Sequence, residues 1–145
     1  MAGTLLDLAK RMERLRKQVP AEVERIKKEV ADKISTDLII VTPVDTSEAL
    51  SNWQVAINSP PSFPLPAIYP GQRGDTESQS TAEAIAHARR VLLEAKAGDK
   101  LYVSNVVEHI VPLNNGSSTQ APAGFVERAV LLGRIVVREA RIKLV

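Results

Sequence analysis

Apolar positions three and four residues apart dominate the first forty residues. Leu5, Leu8, Met12, Leu15 and Val19 make one stripe, and Val23, Ile26, Val30, Ile34, Leu38 and Val41 carry it onward. That spacing predicts helix. Pro20 falls between the two runs, where it either opens a second helix or kinks a single long one, giving spans of about 4–18 and 20–39. Glu22 and Glu24 near the second start suit the helix dipole. Pro43 ends the pattern, because it lacks an N–H and biases Thr42 away from helical angles.

The period then changes. Asp45, with Glu48 three residues on, has the spacing of a capping box and predicts one short turn through Ser51. Trp53, Val55 and Ile57 alternate with Asn52, Gln54, Ala56 and Asn58, the pattern of a strand with one buried face. Residues 59–80 break all periodicity. Pro60, Pro61, Pro64, Pro66 and Pro70 are followed by Gly71, Gly74 and a polar run to Ser80, which predicts an extended, polyproline-like segment. Phe63, Leu65, Ile68 and Tyr69 make it too apolar for a plain linker, so it reads as an arm for a neighbouring subunit, with a mobile loop as the bland reading.

Thr81 is placed to cap a helix running to about Ala97, with Ile85, Ala88, Leu92 and Ala95 on one face and Gly98 beyond its end. Lys100–Asn105 predicts a second strand with Leu101 and Val103 on one side, and Val107–Val111 either extends it or forms a short helix before Pro112. After a loop, Pro122 holds Ala121 extended and Gly124 permits a conformation other residues resist, so Gln120–Phe125 predicts a fixed turn. A last helix follows, from Gly124 or Phe125 to about Lys143, apolar around much of its circumference. The elements predict one α+β domain over 1–145, a small, mostly antiparallel sheet against the N-terminal, middle and C-terminal helices. Its parts are helical 1–41, turn and strand 42–58, Pro-rich 59–80, helix, strand and loop 81–123, and helix 124–145.

Two blocks within this frame carry a resemblance. The first holds Thr42, Pro43, Val44, Asp45 and Thr46 with Asn52, Trp53, Gln54 and Val55. The second holds Tyr102, Ser104, Asn105, Leu113, Gly116, Ser118, Gln120, Ala121, Pro122 and Gly124. Together, over roughly Thr42 to Val130, the chain resembles the neck or tail-completion family of tailed bacteriophages, the head-to-tail connector proteins. Ser47 departs from that family's usual Gly, Leu50 from a frequent Arg, Glu108–Ile110 from a Pro-Tyr-Ala, and Asn114 from a frequent Glu. Losing the Gly implies a turn without a positive φ at Ser47, and losing the Arg puts an ion pair there in doubt.

The resemblance implies a virion structural protein of the neck, assembled in the host cytoplasm, that closes the tail end and joins it to the head. It implies a homo-oligomeric ring, a hexamer or else a dodecamer, with genomic DNA passing through its lumen. The implied partners are the head-connector or head-completion protein and the tail tube or terminator protein. The structural residues it implies are Thr42, Pro43, Asp45, Thr46, Trp53, Asn105, Gly116, Gln120, Pro122 and Gly124; the turn reading adds Phe125, and the apolar side chains of the Pro-rich segment, Phe63, Leu65, Ile68 and Tyr69, make a candidate subunit interface. A tail terminator or minor tail protein of related fold is a weaker alternative.

Composition and charge narrow the classes further. Aromatics are 3% of the 145 residues, so the core must be aliphatic. With no cysteine there is no disulfide framework, thiolate metal site or Cys nucleophile. No signal-peptide pattern or membrane-length apolar run appears, so neither secretion nor membrane contact is expected. The net charge of +2 is too small to argue for nucleic acid. Basic residues from Lys10 to Lys33 leave a nucleic-acid-binding module as the alternative from another class, but interspersed acids such as Glu13 (with Lys17) and Glu24 (with Lys28) favour a solvated face. His87 and His109 belong to no metal pattern, Asp75 and Glu77 read as solvated, and no nucleophile elbow precedes any Ser that would join His109 and Asp45. No catalysis, cofactor or metal is expected.

Overall fold

Seven elements build the protein, whose computed structural model describes residues 3–144. Residues 1, 2 and 145, which the span 1–145 and its terminal segments include, lie outside the described residues. The first element is a single helix, α1 (Leu5–Val41). It runs through Pro20, the single long helix of the two readings. Pro20 is exposed, so the Arg16 carbonyl that it leaves without an N–H partner can face water. The stripe also stays in phase across it, since Val23 lies four residues after Val19. At its start Thr4 and Asp7 form a capping box: Asp7 N–H donates to Thr4 Oγ1 at 3.1 Å and Thr4 N–H to Asp7 Oδ2 at 2.9 Å.

After α1 come α2 (Glu48–Ser51), β1 (Gln54–Ile57), α3 (Glu77–Glu94), β2 (Leu101–Ser104), α4 (Ile110–Asn114) and α5 (Phe125–Glu139). The strands pair antiparallel, Gln54 opposite Ser104 and Ile57 opposite Leu101, giving an α+β fold with a two-stranded sheet. Trp53 precedes the strand instead of beginning it. Val55 and Val103 face each other on the inner side. Asn58, at φ 67°, extends the strand pair past Ile57 and Leu101: its N–H donates to Lys100 O at 2.8 Å and Lys100 N–H donates to its Oδ1 at 3.0 Å.

Boundaries of α3, α4 and α5 differ from the sequence reading, α4 running through Pro112 instead of ending before it. α3 starts at Glu77, four residues before Thr81, which lies inside it. α3 also ends at Glu94, because the Asp99 carboxylate accepts from Lys96 N–H at 2.7 Å and holds a turn that Gly98 completes at φ 89°. α5 stops at Glu139, short of Lys143. The residues after it lie along α1, where Lys143 N–H donates to Glu22 Oε2 at 2.8 Å and Arg25 Nη2 to Arg141 O at 3.1 Å.

Leu38, Ile39, Leu50, Trp53, Phe125 and Ala129 form the main core, and Ala31, Val55, Ala88 and Leu92 a second cluster beneath the sheet. Gly133 lets α5 approach α1 closely, since a Cβ there would stand 2.4 Å from Ile34 Cδ1. Only the second half of α1 is packed. From Leu5 to Arg14 it stands exposed, with Leu5 87% and Met12 61% accessible.

Candidate functional site

Residues 42–53 form a hub to which the remaining loops are tied. Thr42 is buried at the end of α1. Its hydroxyl donates to Leu38 O at 2.5 Å and accepts from the Trp53 indole N–H at 2.7 Å. Trp53 is buried in the main core, so the helix end and the strand entry are locked by one contact. Pro43 and Val44 are buried beside it. The carboxamide of Gln120 then clasps Val44 like a neighbouring strand: Val44 N–H donates to Gln120 Oε1 at 2.9 Å, and Gln120 Nε2 donates to Val44 O at 3.1 Å.

Two more amides repeat the device. Asn105 Nδ2 donates to Ala49 O at 2.7 Å, while its Oδ1 accepts from Val107 N–H at 3.1 Å. Asn52, with no accessible surface, donates through Nδ2 to Glu48 O and Leu65 O, both at 2.8 Å. Its Oδ1 accepts from Leu65 N–H at 2.6 Å. Ser51 Oγ accepts from Ile68 N–H at 3.0 Å, and Ile68 packs against the main core. The Pro-rich segment is therefore anchored to its own domain at Leu65 and Ile68. Of the four candidate interface residues, Ile68 is half-buried, Leu65 and Tyr69 are exposed side chains on an anchored backbone, and Phe63 projects at 77% accessibility. These bonds fix the backbone of the segment, and Phe63, Leu65 and Tyr69 stay exposed on it.

The proposed Asp45 cap is also corrected. Asp45 Oδ1 accepts from Arg73 N–H at 2.7 Å, and Asp45 O from Gly74 N–H at 2.9 Å, so the residue fastens the loop instead of α2. Thr46 Oγ1 makes a long contact of 3.4 Å with Glu48 N–H, and Thr46 O accepts from Gly71 N–H. The N-cap position of α2 belongs to Ser47, at φ 69°. This overturns the expectation that losing Gly removes the need for a positive φ. A serine in that region costs on the order of 1 kcal/mol. Its buried hydroxyl bonds Thr76 Oγ1 at 2.9 Å and its carbonyl accepts from Ser51 Oγ at 2.5 Å, which offsets the strain. Thr76 in turn donates to Tyr69 O at 2.6 Å, so it anchors the loop and leaves α3 without a side-chain cap. Leu50, where an ion pair was in doubt, is an apolar core residue.

The second block sets the angle of α5. Gly116, at φ 91°, lies against Ala123, and Gly124, at φ 83°, donates its N–H to Asn114 O at 2.7 Å. Asn114 Oδ1 accepts from Val126 N–H at 2.9 Å, and its Nδ2 donates to both Glu127 oxygens near 3.0 Å. That hydrogen bond holds the Glu127 carboxyl below its ordinary range. Ala121 and Phe125 are buried on either side of exposed Pro122. The turn residues thus gather where the two blocks meet. Between them lies a cleft of about 340 Å³, whose lining includes Asp45, Glu48, His109, Leu113 and Gln120. Ser104 does not line it: its Oγ is buried without a hydrogen-bond partner on β2.

Sequence reasoning missed Asn52, Ser51 and Asn114 as loop anchors, and Gly133 as a close approach. For Thr4 the signal was present in its spacing to Asp7. Among the described residues no group of His, Asp and Glu is arranged to hold a metal ion, and no helix is long and apolar enough to cross a membrane. No protein-family model, curated protein or solved structure matches the chain.

Proposed function

We propose that this chain is a structural subunit of a tailed-phage neck, closing the tail end and joining it to the head connector as one member of a ring. The observation that carries the reading is the meeting of the two blocks that resemble the tail-completion family. They are 76 residues apart at the Val44–Gln120 clasp and 56 apart at the Ala49–Asn105 bond, yet they brace one another directly. A junction fixed by amide clasps suits a part that must hold its shape under assembly load. The acidic and apolar side chains of the cleft beside it offer a polar, shaped surface to a partner. DNA passing through such a ring requires no base-reading residues.

The test is complementation of a lysate in which this chain is missing. Filled heads and separate tails should accumulate, and purified protein should restore joined particles counted by electron microscopy. Normal joined particles in its absence would refute the neck role. Tight DNA retention with a steep salt dependence, in place of a salt-insensitive particle of high mass, would turn the assignment toward the nucleic-acid module.

A further inference from the structure

The apolar face of α1 does not stop where the body stops. Leu5, Leu8, Met12, Leu15 and Val19 continue the same stripe that Val23, Ile26, Val30 and Ile34 carry into the domain. The body packs against the second half of that stripe, covering it only in part (Val23 is 51% accessible), and leaves the first half bare, with Leu5, Leu8 and Met12 all more than half accessible. Against the covered half lies an open groove of about 540 Å³. Its walls include Val23, Ile26 and Val30 of α1, Leu101 of β2, and Val130 and Val137 of α5. Lys27 is the one charged residue in its lining, and its ammonium is taken by Glu24 at 2.7 Å. One chain thus carries an uncovered apolar helix and an uncovered apolar trough.

We propose that residues 5–19 form a docking arm that seats in the α1–β2–α5 groove of a second copy of this chain. Pairing of two arms is disfavoured on two counts. The seam spans two heptads, short of the three or four that a coiled coil sustains, and in a parallel pair Arg11 would face Arg16 of its partner. Charge points the same way. Residues 5–19 hold five basic and two acidic residues, net +3, while the remaining 14 basic and 15 acidic residues of the chain leave the body at −1. Of the arm's two acids, Asp7 is engaged in the capping box and Glu13 pairs with Arg16 and Lys17. Arms at +3 repel one another, whereas a body at −1 does not repel them. An arm in a different copy's groove is a head-to-tail contact, the kind that closes into a ring. The inference rests on the ring reading only in taking a second copy as occupant. An arm ~22 Å long and ~10 Å wide is small beside the ~800 Å² per partner of a stable complex. One contact therefore makes a weak, concentration-dependent dimer, and giving one arm while receiving another adds to it.

The absence of cysteine permits a direct test on the isolated full chain. Leu8→Cys protein, isotopically heavy, is mixed with Val137→Cys protein under mild oxidation across a concentration series. Disulfides are then read by mass. Mixed dimers should form roughly tenfold or more faster than either variant forms its own, because docking raises the local thiol concentration. Met12→Glu added to the arm variant should abolish that excess while leaving the melting curve unchanged. Homodimers of the Leu8→Cys variant as the fastest product would mean that arms pair and would overturn the proposal. Equal, collisional rates for all species at the highest concentration would overturn it as well. Head–tail joining that survives Met12→Glu, with no mixed cross-link, would refute the arm and leave the neck reading standing.

Discussion

Two segments of this chain carry apolar side chains away from its packed core, and they are held in opposite ways. Residues 59–76 have almost no regular structure, yet Asn52, Ser51, Asp45 and Thr46 bond their backbone at Leu65, Ile68, Arg73 and Gly71. Residues 5–14 are regular helix, with every interior backbone group paired along its own axis, yet they touch little of the body. The loop is irregular and fixed; the helix is regular and bare. What decides attachment is whether backbone polar groups find partners on the domain, not whether they find them in a ladder. A helix satisfies itself and is free to project. A proline-rich loop cannot, and the body must supply its partners.

Removing the loop is the severest way to break this contrast. Replacing residues 61–74 with a short Gly/Ser linker strips Asn52 and Ser51 of their partners and uncovers the core beneath Ile68. The expected loss is on the order of 5 kcal/mol, comparable with the whole stability of a small domain. Urea titration followed by circular dichroism reads it, and a near-native midpoint would show that the loop is only draped on the surface. Asn52→Ala is milder and cleaner. It leaves Leu65 N–H and O without their buried partner, so a cost of about 2–3 kcal/mol is expected. Hydrogen exchange should accelerate at Leu65 more than at Val55, and equal protection at both would count against the clasp.

The same contrast marks what the sequence made legible. Period-3.6 and period-2 patterns located α1, β1, α3, β2 and α5 because side-chain burial sets those periods directly. They also gave the two-stranded antiparallel arrangement its inner faces, Val55 with Val103. The attachments were not legible in that way. The resemblance pointed to Asn105 and Gln120 without their partners, and Asn52 drew no role, since an amide shows its target only when a backbone 13, 56 or 76 residues distant is brought within 3 Å. Asp45 was misassigned for the same reason: the nearest backbone in sequence was not the nearest in space. Composition left the anchoring of the Pro-rich segment unread, because it reports that a stretch cannot form a ladder, not where its hydrogen bonds go. The bare stripe of α1 was visible as a stripe, but only the fold distinguishes its covered half from its open half.

Acid should separate the two segments by the chemistry of what holds each of them, and this is the smallest effect expected. The clasps that hold the loop at Leu65 and Ile68, through Asn52 and Ser51, contain no group that titrates in water. The projecting end of α1 starts instead at the carboxylate of Asp7. Its pKa lies below the ordinary value, first because the Thr4 N–H donates to it and second because the Thr4 hydroxyl does. Glu22, where the C-terminal residues meet α1, is lowered in the same sense by Lys143 N–H and by Arg25. A lowered folded-state pKa means that these contacts contribute fully above the unfolded value, near pH 4, and are lost as pH falls through the folded one. Amides of the first turns of α1 and of residues 141–143 should therefore lose protection first as pH drops from about 5 to 3, while Leu65 and Ile68 keep theirs. Segment-resolved hydrogen exchange, corrected for the intrinsic pH dependence, makes the comparison. Asp7→Asn should remove the pH dependence at the helix start without altering it at residues 141–143. If Leu65 and Ile68 open in step with Leu8 across that range, the loop is held no more independently of charge than the arm, and the distinction between them fails.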